Sequence, residues 1–173
     1  YELCYNEHQK FPDYLGREAK PEAYSVTVHF ATGRFTGALP YGRKARTPLT
    51  DASVSASPGT DKNGPTALAR SAAKVIDTAK WGGNHLNMKF HPSALATPEG
   101  ANKLLSLIKT YFDLGGFHVQ FNCVSAQTLK DAQLHPDKYR NLVVRVAGFS
   151  AFFVHLDRAV QDEIIKRTEL TFN

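Results

Sequence analysis

The chain has 173 residues, 42% of them hydrophobic and 21% charged, which fits one domain with a real core and excludes a disordered or collagen-like chain. Its 21 basic and 16 acidic residues give a charge of +5, yet the only tight basic cluster is Arg43, Lys44 and Arg46, so no nucleic-acid-binding face is expected. No run approaches the roughly 18 apolar residues of a membrane span, and Cys4 and Cys123 are too few and too far apart for a disulfide framework. A reducing cytoplasm is the expected compartment. The N-terminus has no secretory pattern and no initiator Met, so the chain is expected to start inside a longer product.

The first 23 residues are polar and broken by Pro12, Gly16 and Pro21, and read as a tail or connection. Ser25 to Phe30 alternates, with Val26, Val28 and Phe30 on one side, and predicts a strand. From Ala31 to Pro65 runs a stretch rich in Gly, Pro, Ser, Thr and Asp. A loop of that length is expected to be functional, or braced by another part of the protein.

Pro65 suits the first turn of a helix, and Leu68, Ala72, Val75 and Ile76 form its stripe. Leu86, Met88 and Phe90 alternate as a strand closed by His91-Pro92. Thr97-Pro98-Glu99 reads as a helix start, with a hydroxyl cap, a proline and an acid facing the dipole. Gly115-Gly116 stop that helix. Phe117, Val119, Phe121 and Cys123 predict another strand, with Cys123 a small buried thiol. Ser125 caps a short helix ended by His135-Pro136, and Asp157 caps a last one carrying Val160, Ile164 and Ile165. Between them, the apolar run Leu142 to Val146 is broken at Gly148 and resumes at Phe149 to Val154. Strands alternating with helices give the class α/β.

Most candidate chemistries fail on residue type. The stretch Gly59 to Thr66 has the outline of a phosphate loop, but Pro65 stands where its lysine belongs. The seven histidines form no HExxH spacing, and Phe152 replaces the second glycine of a nucleophile elbow. What packing explains badly is a glycine inside the run Arg145-Val146-Ala147-Gly148-Phe149-Ser150-Ala151. A bulge or tight bend is the simplest reading of its spacing alone.

That run resembles the glycyl-radical signature, Arg-Val-(Ala/Ser)-Gly-(Tyr/Phe)-(Ser/Ala), of the pyruvate formate-lyase-like glycyl radical enzymes. Further blocks resemble the family in family order: GALPYGRKA from Gly37, DKNGPTA from Asp61, LNMKFHPSAL from Leu86, HVQFN from His118, LKDAQLHPDKY from Leu129 and QDEIIKRTE from Gln161. The resemblance implies an α/β fold, the C-terminal part of a ten-stranded barrel with the radical glycine on a loop. It implies a connecting segment and first strand over 1–30, late barrel elements over 31–115 and a glycyl radical domain over 116–173.

By the same resemblance, Gly148 stores a radical made after translation, and Arg145, Val146, Ala147, Phe149, Ser150 and Ala151 form its loop. No metal or organic cofactor is implied for this chain. A side chain at Gly148 would be expected to crowd the planar radical centre. The family passes the radical to a cysteine in a Gly-Cys-x-Glu setting, and neither Cys4 nor Cys123 has one. The implied partners are therefore the remainder of the enzyme carrying that cysteine, and an S-adenosylmethionine and iron–sulfur activating enzyme. No nucleic acid or membrane is implied, and the complete enzyme would be a homodimer. The blocks look closest to the dehydratase, lyase and decarboxylase branches. A standalone subunit that repairs an oxygen-damaged enzyme, and a non-catalytic module keeping the fold, are the alternatives.

Overall fold

The computed structural model describes residues 2–22, 24–25, 27–75 and 77–172. Helix α1 (Glu2–His8) buries none of its residues, and α2 is Val28–Phe35. Then come α3 (Gly64–Val75), β1 (Leu86–Phe90), α4 (Pro98–Asp113) and β2 (Val119–Cys123). The chain ends with α5 (Ala126–Leu134), β3 (Val143–Arg145), β4 (Ser150–Phe152) and α6 (Arg158–Lys166).

The caps form where the sequence places them. The Thr97 side chain accepts from the Gly100 N–H, Ser125 from Thr128 and Asp157 from Ala159, each satisfying an amide that its helix leaves unpaired.

Strands β1 and β2 pair in parallel, with Leu86 opposite Val119 and Phe90 opposite Cys123. Strand alternation divides their side chains between two faces. Leu86, Met88 and Phe90 pack with Ala69 and Ala72 of α3, Leu107 and Tyr111 of α4, and Leu170. The opposite face is polar. Asn87 stands opposite Gln120 and Lys89 opposite Asn122, and His85 and His118 stand one step before the first pair. This second face receives β3 and β4 and, through Lys89, the end of α6. Lys89 Nζ lies 3.3 Å from the Ile165 carbonyl and 3.2 Å from Glu169, a cation at the negative end of a helix. A second core, with Leu129, Val144, Val146, Phe153 and Ile164, seats the β3–β4 hairpin between α5 and α6.

Two expectations are corrected. The strand over 25–30 is absent: Val28–Phe35 is helical, and Val26 lies outside the described residues. The helix brings Gly33 so close to the following loop that a Cβ there would lie 2.4 Å from the Thr47 carbonyl oxygen. The tertiary contact overrides the β-branched alternation.

The long loop is braced from within as well as by its neighbours. Arg43 is buried, and its guanidinium donates to the carbonyls of Gly33, Gly37 and Thr47. One member of the only basic cluster is thus structural rather than displayed. Cys123, expected buried, is exposed at the end of β2. Ile76, expected in the α3 stripe, lies outside the described residues.

Candidate radical site

The β3–β4 hairpin pairs Val143 with Phe152 and Arg145 with Ser150, leaving Val146 to Phe149 as its turn. The turn is closed by the Val146 N–H donating to the Phe149 carbonyl at 2.9 Å. Gly148 has φ +82°, in the left-handed region that side chains rarely adopt. A Cβ built there would sit 3.5 Å from His85 Cε1, an ordinary contact. The turn therefore needs glycine for its backbone, and the expected crowding by a side chain is not what the resting loop shows.

Polar side chains from the sheet hold this turn. The Asn122 amide behaves like a strand partner: its Oδ1 accepts from the Arg145 N–H at 2.7 Å and its Nδ2 donates to the Arg145 carbonyl at 2.6 Å. The Arg145 guanidinium then spans the loop. It donates to Gln120 Oε1, to Ser150 Oγ at 3.3 Å and to the Gly148 carbonyl at 3.2 Å. Gln120 in turn donates to Asn87, and Asn87 to Asp51.

From the other side, Arg167 Nη1 donates to the Val146 carbonyl at 2.8 Å. Arg167 also grips both oxygens of Glu163, at 3.0 and 2.8 Å, and lies 3.5 Å from Asp51. Glu163 stands 3.6 Å from His29. Burial alone would raise the Glu163 carboxyl, but His29 and the Arg167 guanidinium bring it down to about 2. The result is a connected charge-assisted network beneath the turn, running from Arg145 to His29.

Beside Gly148 lies a stack of rings. His85 is 4.5 Å, centroid to centroid, from both Tyr24 and His118. Burial, reinforced by the nearby Arg145 cation, lowers the pKa of both histidines and favours their neutral forms.

Within the signature, Val146 and Ala147 are fully buried and Ala151 is partly buried, whereas Gly148, Phe149 and Ser150 are exposed. Arg145 meets Gly148 and Ser150 directly. Cys123 points away from the hairpin, since Asn122 beside it carries the hairpin contact. A cavity of about 430 Å³, lined by Asp51, Asn122, Glu163 and Arg167 among others, lies behind the network, and Gly148 does not line it. Among the described residues there is no group of three or more His, Cys, Asp or Glu placed to hold a metal ion.

Sequence reasoning missed Asn87, Gln120, Asn122, Asp51, Glu163 and Arg167. The signal that could have found three of them, Asn87, Gln120 and Asn122, is the other half of the strand alternation, which is Asn-Lys in β1 and Gln-Asn in β2. Amides and a lysine facing inward on otherwise apolar strands need partners, and a docked backbone loop supplies them.

A parallel pair of strands thus presents a glycine-bearing hairpin on its polar face, with the turn's backbone held by side chains of Asn122, Arg145 and Arg167. A sequence model of the glycine radical family matches residues 50–154. The chain is 52% identical over 147 residues to an indoleacetate decarboxylase from Tractidigestivibacter scatoligenes, covering 85% of this chain and 17% of that protein. It is 41% identical over 172 residues to a trans-4-hydroxy-L-proline dehydratase from Clostridioides difficile, covering 99% and 22%. The glycerol-bound B12-independent glycerol dehydratase from Clostridium butyricum superposes with a TM-score of 0.91 at 43% identity, again over 99% of this chain and 22% of that one.

The chain belongs to the glycyl radical enzyme family, whose members carry a post-translational radical on a backbone glycine. It spans about a fifth of the length of these relatives.

Proposed function

We propose that this chain is the C-terminal, radical-storing part of a glycyl radical lyase, dehydratase or decarboxylase, with Gly148 as the radical residue. The observation that carries the reading is Gly148 itself. It is an exposed glycine at φ +82° inside the Arg145–Ala151 signature, its carbonyl held by Arg145 at 3.2 Å.

An activating enzyme using S-adenosylmethionine and an iron–sulfur cluster removes one hydrogen atom from the Gly148 Cα. The unpaired electron is then shared between the adjacent nitrogen, a donor, and the carbonyl, an acceptor. The Arg145 cation at that carbonyl draws charge toward the acceptor and so favours the shared state. Asn122 and Arg167 fix Arg145 and Val146, which lead into Gly148, and this limits the reorganisation the loop undergoes.

In turnover the glycyl radical takes the hydrogen atom of a cysteine S–H, regenerating the Cα–H and leaving a thiyl radical that attacks the substrate. The hydrogen returns after product forms. Cys4 and Cys123 are both exposed and lack the Gly-Cys-x-Glu setting, so the reading assigns this cysteine to another part of the enzyme. The substrate is a small organic molecule that undergoes radical C–X or C–C cleavage.

The sheet supports the reading of this chain as part of a larger barrel, with residues 31–115 as late barrel elements and 116–173 as the radical domain. A two-stranded parallel sheet is marginal on its own, and parallel sheets are normally covered and extended. Among the described residues, β1 and β2 form a sheet of two strands, with Leu170 bridging to Phe90. Neighbouring strands from the remainder of the enzyme would complete it. No helix among the described residues is long and apolar enough to cross a membrane.

Anaerobic incubation with a matching activating enzyme should give an electron paramagnetic resonance doublet, split by the one remaining Cα hydrogen. Gly148→Ala should abolish it. No doublet under conditions that activate a full-length relative would contradict the proposal.

A further inference from the structure

Glycine leaves its Cα bare, and here a neighbouring ring faces the place the missing side chain would take. The position a Gly148 Cβ would take lies 3.5 Å from His85 Cε1 and 3.9 Å from its Nδ1. The ring is firmly placed. Its backbone carbonyl accepts from the N–H groups of Ser53 and Val54 at 3.2 and 3.0 Å, and its N–H donates to Ser53 Oγ at 2.5 Å. Tyr24 and His118 each lie 4.5 Å, centroid to centroid, from the imidazole. Its Nδ1 is buried and makes no hydrogen bond among the described residues, so packing rather than hydrogen bonding accounts for where the ring sits.

We propose that His85 is a positioning residue for the radical loop, whose ring covers one side of the Gly148 Cα and shields it from oxygen and solvent. This rests on the reading of Gly148 as the radical residue. Once a hydrogen atom has left, the planar Cα has no substituent of its own to block approach. A ring standing 3.5 Å beyond the position a Cβ would take narrows the approach of small molecules from that side and limits the swing of the turn toward it. Tyr24 extends the cover, and it directly follows the 23 residues that the sequence presents as a tail or connection. That segment is tied down beside the site, with Pro21 accepting from the Gly82 N–H at 3.1 Å and Ser25 Oγ donating to the Ala52 carbonyl at 2.6 Å.

The test uses the full-length enzyme, activated anaerobically, then given a fixed dose of dissolved oxygen while the doublet is followed. His85→Ala should lose its doublet about fivefold faster than the unsubstituted enzyme, the size expected when a modest packing contact no longer holds a loop closed. His85→Phe, which keeps a ring of similar reach, should restore the slow loss. A merely structural role for His85 would not produce this rescue together with an unchanged starting doublet. Should His85→Ala fail to fold, His85→Asn, too short to reach the loop, is read in its place. Equal loss rates for the short variant and the unsubstituted enzyme would overturn the proposal. So would a His85→Phe enzyme that decays as fast as the short variant. No doublet in the unsubstituted enzyme would overturn the reading of Gly148 itself, and with it this role.

Discussion

Arg145 and Gly148 are joined across the turn by a single hydrogen bond, guanidinium to carbonyl at 3.2 Å, and the same guanidinium is anchored on Gln120. Sheet, loop and the Gly148 carbonyl thus meet in one side chain. Lysine cannot reproduce this, because its ammonium is a single point donor and lacks the planar fork. Arg145→Lys should therefore lower the spins per chain several-fold and reduce stability by about 2 kcal/mol, as loss of charge-assisted bonds does. Quantitative electron paramagnetic resonance and a denaturant melt measure the two effects. Spin yield equal to that of the unsubstituted protein would count against the role.

Glu163 makes a prediction about acid. Its folded pKa of about 2 lies below the ordinary value of 4.5. The unfolded chain therefore binds its proton first, and the stabilisation is full above 4.5 and lost as pH falls toward 2. The shift corresponds to about 3 kcal/mol. Urea melts should show stability falling steeply below pH 4.5, and Glu163→Gln should be weaker at pH 7 with a flatter acid limb. An unchanged acid limb would show that the Arg167–Glu163–His29 cluster is not what acid breaks.

The ring stack titrates in a different window. His85 and His118 both have pKa values lowered from 6.5, first by burial. Above pH 6.5 they are neutral whether folded or not and contribute no slope. Below it the unfolded chain takes up protons first, so stability declines as pH falls from 6.5 through the folded values. His118→Gln should flatten the decline that sets in below pH 6.5 while leaving the carboxylate limb below 4.5 in place. A variant with the parent's slope would exclude His118 as a contributor.

Thr97 serves as a control remote from the loop. Its hydroxyl accepts from the Gly100 N–H at 3.1 Å, so Thr97→Ala should cost about 1 kcal/mol. The spin yield of the folded fraction should not change. A fall in yield matching that of Arg145→Lys would mean that spin yield follows global stability rather than loop geometry.

Much of the fold is legible in the sequence because local chemistry dictates it. Thr97, Ser125 and Asp157 cap their helices, and Leu86, Met88 and Phe90 face a helical layer, as their types and spacing require. The stretch at Val28 misleads because its conformation is set by the approach of Gly33 to Thr47 and Pro48, a contact between segments. Gly148 stands out as a glycine in an apolar run and by its resemblance to the radical signature. Its supports do not. Asp51, Asn87, Gln120 and the Glu163–Arg167 pair come from four separate places in the chain, and only the fold brings them under one turn.

The central claim is that Gly148 holds the radical, and a backbone radical leaves a mark that can be read residue by residue. Oxygen admitted to the activated enzyme should cleave the chain at the radical residue. Mass spectrometry of the products is predicted to show two fragments divided at Gly148, in proportion to the spins present beforehand. An intact chain, or a break at any other glycine, would contradict the assignment.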